Sequence, residues 1–324
     1  MRKAFSDALV AAAQADARML LLTGDHGYAL FDAFRKTCPQ QYINCGVAEQ
    51  NMVGVAAGLA RGGFRPVVYG LAAFVPVRVL EQIKVDVCYE GLPVIFIGDG
   101  AGFVYSHLGS SHQSTEDIAC TRAIPGLSIL SPADRFELAA AFQLACEQAS
   151  PVYLRLGKSD RGDVHDGSVK MSMGDLLKVR GGNGKGALIA TGSMVKTALD
   201  VVDGGLDAEV WSVPTIKPFD LRRIAEICRR IEWLVVLEEH SVMGGLGACV
   251  AEAVTAIRPL PVCRIGVEDR FSQFCGTYEY LLREHRLDTK SVRQRIAEFV
   301  ASAGSPPGTR EKMVTAPALL PPKP

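Results

Sequence analysis

The sequence predicts an α/β protein made of two consecutive open, mostly parallel sheets with helices on both faces. Three observations predict it. Short, uniformly apolar runs such as residues 19–22, 93–97 and 233–237 alternate with stretches whose apolar residues recur at spacings of three and four. A glycine-rich stretch near the middle interrupts that alternation, and the same alternation then resumes. The length, 324 residues, suits two domains at roughly 100–200 residues each.

Taken in order, residues 2–17 carry an alanine-rich helical pattern that leads into the apolar run 19–22 and the turn Thr23-Gly24-Asp25-His26-Gly27. A strand at 42–45, a helix opening at Glu49, a strand at 65–69, a helix over 79–89 and a strand at 93–97 follow. The Glu49 helix is predicted by Met52, Val55, Ala56 and Leu59, with Gly62-Gly63 as its stop. A long glycine-rich loop, 98–113, comes next; loops of that length in compact domains are often functional. A strand and turn through 124–134, a helix at 135–148 and a strand at 151–156 close the first unit. The second unit has strands at 187–190, 208–213, 233–237 and 261–267, with helices at 194–202, 221–230, 278–285 and 291–301. The predicted domains are therefore 1–160 and 186–303, joined by a linker at 161–185 and followed by a proline-rich, disordered tail at 304–324.

The 35 basic and 35 acidic side chains balance, so there is no electrostatic reason to expect nucleic acid or a membrane surface as a partner. Arg222-Arg223 and Arg229-Arg230 sit at helical spacing and read as a solvated face. Nine cysteines occur without a CxxC pair, which fits reduced thiols in a cytoplasm better than a disulfide framework or a zinc site. No apolar run reaches 18 residues and the first residues lack a long apolar core. The expectation is a cytoplasmic, soluble protein. His107 and His112 lack neighbouring ligands and i,i+4 spacing, so no metal site is assigned to them.

Ligands on such sheets bind beyond the carboxyl ends of the strands. Asp25, Glu49, Phe74 and the loop after Ile97 all fall on that rim. Read alone, Glu49 is a helix-start carboxylate favoured by the macrodipole. Gly54, Ala56, Ala57 and Gly58, however, make its helix small-sided, so that another backbone can approach and enclose the carboxyl, which then needs a partner or a proton.

Gly46-Val47-Ala48-Glu49-Gln50-Asn51-Met52 resembles the GIAEQNM signature of the transketolase family, in the domain that holds the pyrimidine ring of thiamine diphosphate. The resemblance implies that Glu49 bonds to a pyrimidine nitrogen and favours the tautomer that takes the proton from the thiazolium carbon. Phe74, followed by Arg78-Val79-Leu80-Glu81-Gln82, resembles the family's aromatic that stacks on the pyrimidine; without that match a core aromatic is the simpler reading. Leu108-Gly109-Ser110-Ser111-His112-Gln113 resembles the DGPTHQ segment and implies that His112 faces the substrate or the aminopyrimidine, with His107 on the same loop as a further substrate candidate. Asp25 is implied as a contact to the cofactor or partner. Gly157-Lys158 stands where the family often has Ser-Arg, making Lys158 a candidate for the acceptor's phosphate, although a lysine after a strand is commonly just solvent-facing. Leu108 replaces the aspartate that contacts a hydroxyl of the usual sugar-phosphate donor.

Glu238-Glu239-His240-Ser241-Val242-Met243-Gly244-Gly245-Leu246-Gly247 resembles the EEH turn of the family's C-terminal domain, where Glu239 and His240 are read as structural. The resemblance covers about residues 1–303, but only the second half of a full transketolase. Gly98-Asp99-Gly100 looks like the start of the family's diphosphate and Mg²⁺ motif, yet the chain's asparagines are Asn44, Asn51 and Asn183, so the Asn-rich end is missing. The family reading is thus the small subunit of a split transketolase, sharing thiamine diphosphate and Mg²⁺ with a partner chain in an α2β2 assembly. It would transfer a two-carbon ketol unit from a ketose to an aldehyde. Alternatives are a deoxyxylulose-phosphate-synthase-like or 2-oxoacid dehydrogenase beta-type subunit, or a non-catalytic binding subunit of the same fold.

Overall fold

The apolar runs form strands because a parallel strand covered by helices on both faces buries every side chain, leaving no polar alternation. In the computed structural model, which describes residues 1–303 except 28, 159 and 160, six strands come first: β1 (Met19–Thr23), β2 (Tyr42–Asn44), an edge strand that is only partly buried, β3 (Arg65–Leu71), β4 (Ile95–Asp99), β5 (Ser128–Leu130) and β6 (Val152–Leu156). The second half adds β7 (Leu177–Arg180), β8 (Gly186–Ala190), β9 (Glu209–Ser212), β10 (Thr215–Lys217), β11 (Trp233–Ser241) and β12 (Val262–Val267).

These make two sheets, ordered β10-β5-β6-β4-β3-β1-β2 and β12-β11-β8-β9-β7. All neighbours are parallel except the two edge pairs, β10 with β5 and β7 with β9. The fold is therefore the α/β architecture of two open, mostly parallel sheets that the sequence implies. β10 departs from it in one respect: it follows β9 of the second sheet but pairs with β5 of the first, Thr215 opposite Leu130.

Helices Arg2–Ala15 and Arg135–Glu147 cover one face of the first sheet through Phe5, Leu9 and Phe142, packed with Leu21, Val67, Ile97 and Leu154. Helix Glu49–Arg61 covers the other through Met52, Val53 and Ala56. That second core continues without interruption into Ile224, Ile227 and Leu246 of the second unit. The two halves thus share buried apolar surface.

Three details differ from the sequence reading. Residues 79–89, expected as one helix, comprise a 3₁₀ turn at Val77–Val79, one α turn at Leu80–Gln82 and a π-helical stretch at Ile83–Cys88. A short helix, Asp117–Arg122, follows the glycine-rich loop. β7 lies within the stretch expected as linker, while the tail at 304–324 lies outside the described residues. All nine cysteines are free. Among the described residues no helix is long and apolar enough to cross a membrane.

Candidate functional site

The rim forms where β1, β2 and β3 end. After β1 the chain turns through Asp25, whose φ of 55° is left-handed. Asn44, ending β2, ties this turn to the next: its Oδ1 accepts from the backbone N–H groups of Asp25 at 3.3 Å and Gly46 at 2.9 Å, and its Nδ2 donates to Asp25 Oδ1 at 3.4 Å. Gly46, at φ 68°, lets the chain reverse into the helix that opens at Glu49.

Glu49 is enclosed, with 5 % of its surface exposed. Its Oε2 accepts from Arg78 Nη1 at 3.0 Å. The same guanidinium lies over the Phe74 ring, 4.0 Å from its centroid, and His112 meets Phe74 edge-on with centroids 5.3 Å apart. His112 Nδ1 is 3.0 Å from Ser111 Oγ. A continuous chain, Glu49–Arg78–Phe74–His112, therefore links the start of the Glu49 helix with two further segments that the sequence could only place on the same rim. Arg78 was missed as a site residue, because an arginine opening a helix looks like surface charge. The available signal was the need of an enclosed carboxylate for a cation.

The other expected residues lie apart. Asp25 is exposed, beside Asn44. His107 is exposed in the 3₁₀ turn Ser106–Leu108, and no described hydrogen bond or ring contact joins it to His112. Lys158 Nζ lies 5.2 Å from the ring centroid of Tyr278, on a helix of the second domain. Asp99 of the Gly-Asp-Gly triplet is engaged structurally. It accepts from Tyr69 and Tyr105 hydroxyls, both at 2.8 Å, and from Arg2 at 2.6 Å, tying the first helix to β4. Burial and the nearby carboxylate push both phenols well above their usual range.

The Glu238-Glu239-His240 turn forms the seam under the glycine-rich loop. Glu239 accepts from Phe103 N–H at 2.7 Å and from the hydroxyls of Ser193 and Tyr278. Glu238 accepts from Leu246 and Gly247 N–H at 2.7 and 2.8 Å, capping helix Leu246–Ile257; burial raises its pKa to about 7. His240 is fully buried, its Nδ1 donating to Ser241 O and its Nε2 accepting from Ala119 N–H. Burial lowers its pKa to about 4, so it is held neutral. Beside them Arg155 Nε donates to Asp117 Oδ2 at 2.8 Å, both side chains buried.

Residues 1–162 match the family "Transketolase, pyrimidine binding domain" and residues 176–292 match "Transketolase, C-terminal domain". An apulose-4-phosphate transketolase subunit of Phocaeicola vulgatus is 33 % identical over 305 residues, covering 92 % of this chain and 97 % of that protein. The 6-deoxy-6-sulfo-D-fructose transketolase subunit SqwH of Clostridium sp. (strain MSTE9) is 34 % identical over 297 residues, covering 90 % and 92 %. A solved structure described as a split gene transketolase, inactive beta4 tetramer, superposes with a TM-score of 0.85 at 32 % identity, over 93 % of this chain and 98 % of that one. Two such domains in succession define the pyrimidine-side and C-terminal portion of a transferase of the class that uses thiamine diphosphate. The chain belongs to the transketolase family, as a transketolase-like subunit of the split kind.

Proposed function

We propose that this chain supplies the pyrimidine-side half of a thiamine diphosphate site shared with a partner chain in an α2β2 assembly, and that the complete site moves a two-carbon ketol unit from a ketose to an aldehyde. The observation that carries this reading is the enclosed Glu49 carboxylate joined through Arg78 to the Phe74 ring and His112. The donor set fits the pyrimidine. Glu49 offers a carboxylate on the first turn of a helix, Phe74 is a half-buried aromatic at the rim, and a Cβ at Gly46 or Gly109 would meet nothing within 4 Å, leaving an open approach.

When bound, the cofactor supplies the nucleophilic carbon and the electron sink. Glu49 holds a proton at a pyrimidine nitrogen and so controls its tautomer. Phe74 would fix the ring's plane, and Asp25, which meets Asn44, is the candidate contact to the cofactor or partner. His112 donates a hydrogen bond to the substrate oxygen on which charge develops, with His107 further along the same loop. Lys158 is the candidate for an acceptor phosphate. Leu108, 55 % exposed, gives the donor an apolar neighbour in place of a carboxylate, which favours a donor other than the usual sugar phosphate.

The diphosphate and Mg²⁺ are assigned to the partner chain, because Asp99 is already held by Arg2, Tyr69 and Tyr105 and no Asn-rich segment accompanies it. Calorimetric titration of thiamine diphosphate with Mg²⁺ tests the division: tight binding is expected in the mixture with the partner and weak binding to this chain alone. In that mixture Glu49→Ala is expected to abolish turnover, and wild-type turnover would remove Glu49 from the mechanism.

A further inference from the structure

The loop that carries His107 and His112 is fastened at both ends to the second domain. At its start the Phe103 N–H donates to Glu239 at 2.7 Å, while Gly102 and Ser114 exchange backbone hydrogen bonds of 2.8 and 3.0 Å that close the loop's two ends on each other. At its end, Ser272 Oγ donates to Gln113 Oε1 at 2.8 Å and lies 2.9 Å from His285 Nε2. One hydroxyl proton cannot serve both neighbours, so His285 Nε2–H donates to Ser272 and Ser272 donates to Gln113. The His285 ring also stacks on Phe103, with centroids 4.8 Å apart at 21°. A single imidazole from helix-end residue His285 thus touches the beginning of the loop directly and its end through one hydroxyl.

Gln113 is an expensive choice for a merely structural role. It is 7 % exposed, and its Nε2 has no acceptor among the described residues, a condition that costs about 1–3 kcal/mol in a buried group. An apolar side chain would fill that place without the cost, but it would give Ser272 nothing to hold. Gln113 is also the chain neighbour of His112, whose ring rests against Phe74.

We propose that Ser272 is a positioning residue of the transfer site: from the second domain it holds Gln113, and through Gln113 it keeps His112 in register with Phe74. This rests on the transketolase reading of His112. The test uses the full chain and its complex with the partner. Amide hydrogen exchange is followed over residues 104–113, and transfer is assayed with hydroxypyruvate as ketol donor and glycolaldehyde as acceptor.

Loss of one buried hydrogen bond is worth roughly a factor of ten. Ser272→Ala is therefore expected to speed exchange in the loop about tenfold, leave β8 and β11 protected as in wild type, and lower kcat/KM about tenfold with an unchanged dissociation constant for thiamine diphosphate. Ser272→Thr, which keeps the hydroxyl, is expected to restore both. Wild-type exchange in Ser272→Ala, or faster exchange with unchanged kcat/KM, overturns the positioning role. His112→Ala separates the two levels. If it transfers ketol units at the wild-type rate, the reading of the site falls and the positioning role with it. If it is impaired while Ser272→Ala is not, only the positioning role falls.

Discussion

Replacing Arg155 with alanine tests how firmly the two domains are joined beneath the loop. Arg155 and Asp117 are 3 % and 0 % exposed, and Asp117 also accepts from Tyr153 OH at 2.6 Å. Arg155 Nη2 donates onward to Glu239 O at 2.9 Å and Ser114 O at 3.3 Å, so one guanidinium bonds β6, the loop end and β11. Burial alone would make this arginine easier to deprotonate, but Asp117 outweighs it and the pKa is raised. Alanine would leave a buried carboxylate with Tyr153 as donor and strip a partner from two carbonyls. Breaking a buried pair from one side costs about 3–5 kcal/mol, against about 1 kcal/mol for an ordinary hydrogen bond. A loss of about 4 kcal/mol is expected, read from the guanidinium midpoint with the fluorescence of Trp211 and Trp233, both in the second sheet. Arg155→Met with Asp117→Leu, which removes both charges, is expected to recover at least half of it. A loss under about 1 kcal/mol for Arg155→Ala would refute the argument, because it would mean that water reaches the seam.

Other perturbations follow from the same geometry. Gly102 has φ 68° and its Cβ would lie 2.2 Å from Glu239 Oε1; Gly102→Ala is expected to cost about 2–4 kcal/mol, combining left-handed strain with the loss of a fixed carboxylate contact, and a change under about 0.5 kcal/mol in the denaturation midpoint would contradict this. Arg78→Ala removes the cation from the enclosed Glu49, but Arg78 is itself 44 % exposed, so a modest loss of about 1 kcal/mol is expected after solvent screening, with Arg78→Lys recovering part of it in the same titration. Burial, aided by Arg270, lowers the His285 pKa from its usual 6.5 to about 4. The unfolded chain therefore binds this proton first: the stabilisation is present above pH 6.5 and is lost as pH falls through about 4, an effect of up to about 3 kcal/mol. His285→Gln is expected to flatten the stability profile over that window, and a profile parallel to wild type would rule His285 out as its source.

Much of the architecture was legible because parallel strands buried on both faces leave unbroken apolar runs, and because the Glu49 helix carries its own period. β10 was not, since Thr215, Ile216 and Lys217 are too few to show a pattern and pair with a strand some 85 residues earlier. β7 alternates in burial along Leu177–Arg180, as an edge strand does, but its glycine-rich surroundings read as linker. At the site, the motifs placed Glu49, Phe74 and His112 on one rim, while the cation joining them came from a position that composition reads as surface. The seam is less legible still: Phe103 and Glu239 are 136 residues apart, and Gln113 and Ser272 are 159 apart. Nothing local marks such pairs, because their partners exist only once both sheets are assembled.

The crossing of β10 has a consequence for the order of events during synthesis. The first sheet has an open edge at β5 until residues 215–217 arrive, and an open edge is a template for pairing with other chains. A nascent chain released from the ribosome as far as β6 holds six of the seven strands, yet it must keep that edge unpaired while roughly sixty further residues emerge, several seconds at about 5–20 residues per second. Until then β5 is an unpaired strand edge open to chaperones and to wrong partners. Completion of the seven-stranded sheet is in this sense the work of the second half, which replaces the edge at β5 with the three-residue β10, and a very short edge strand offers other chains little to pair with.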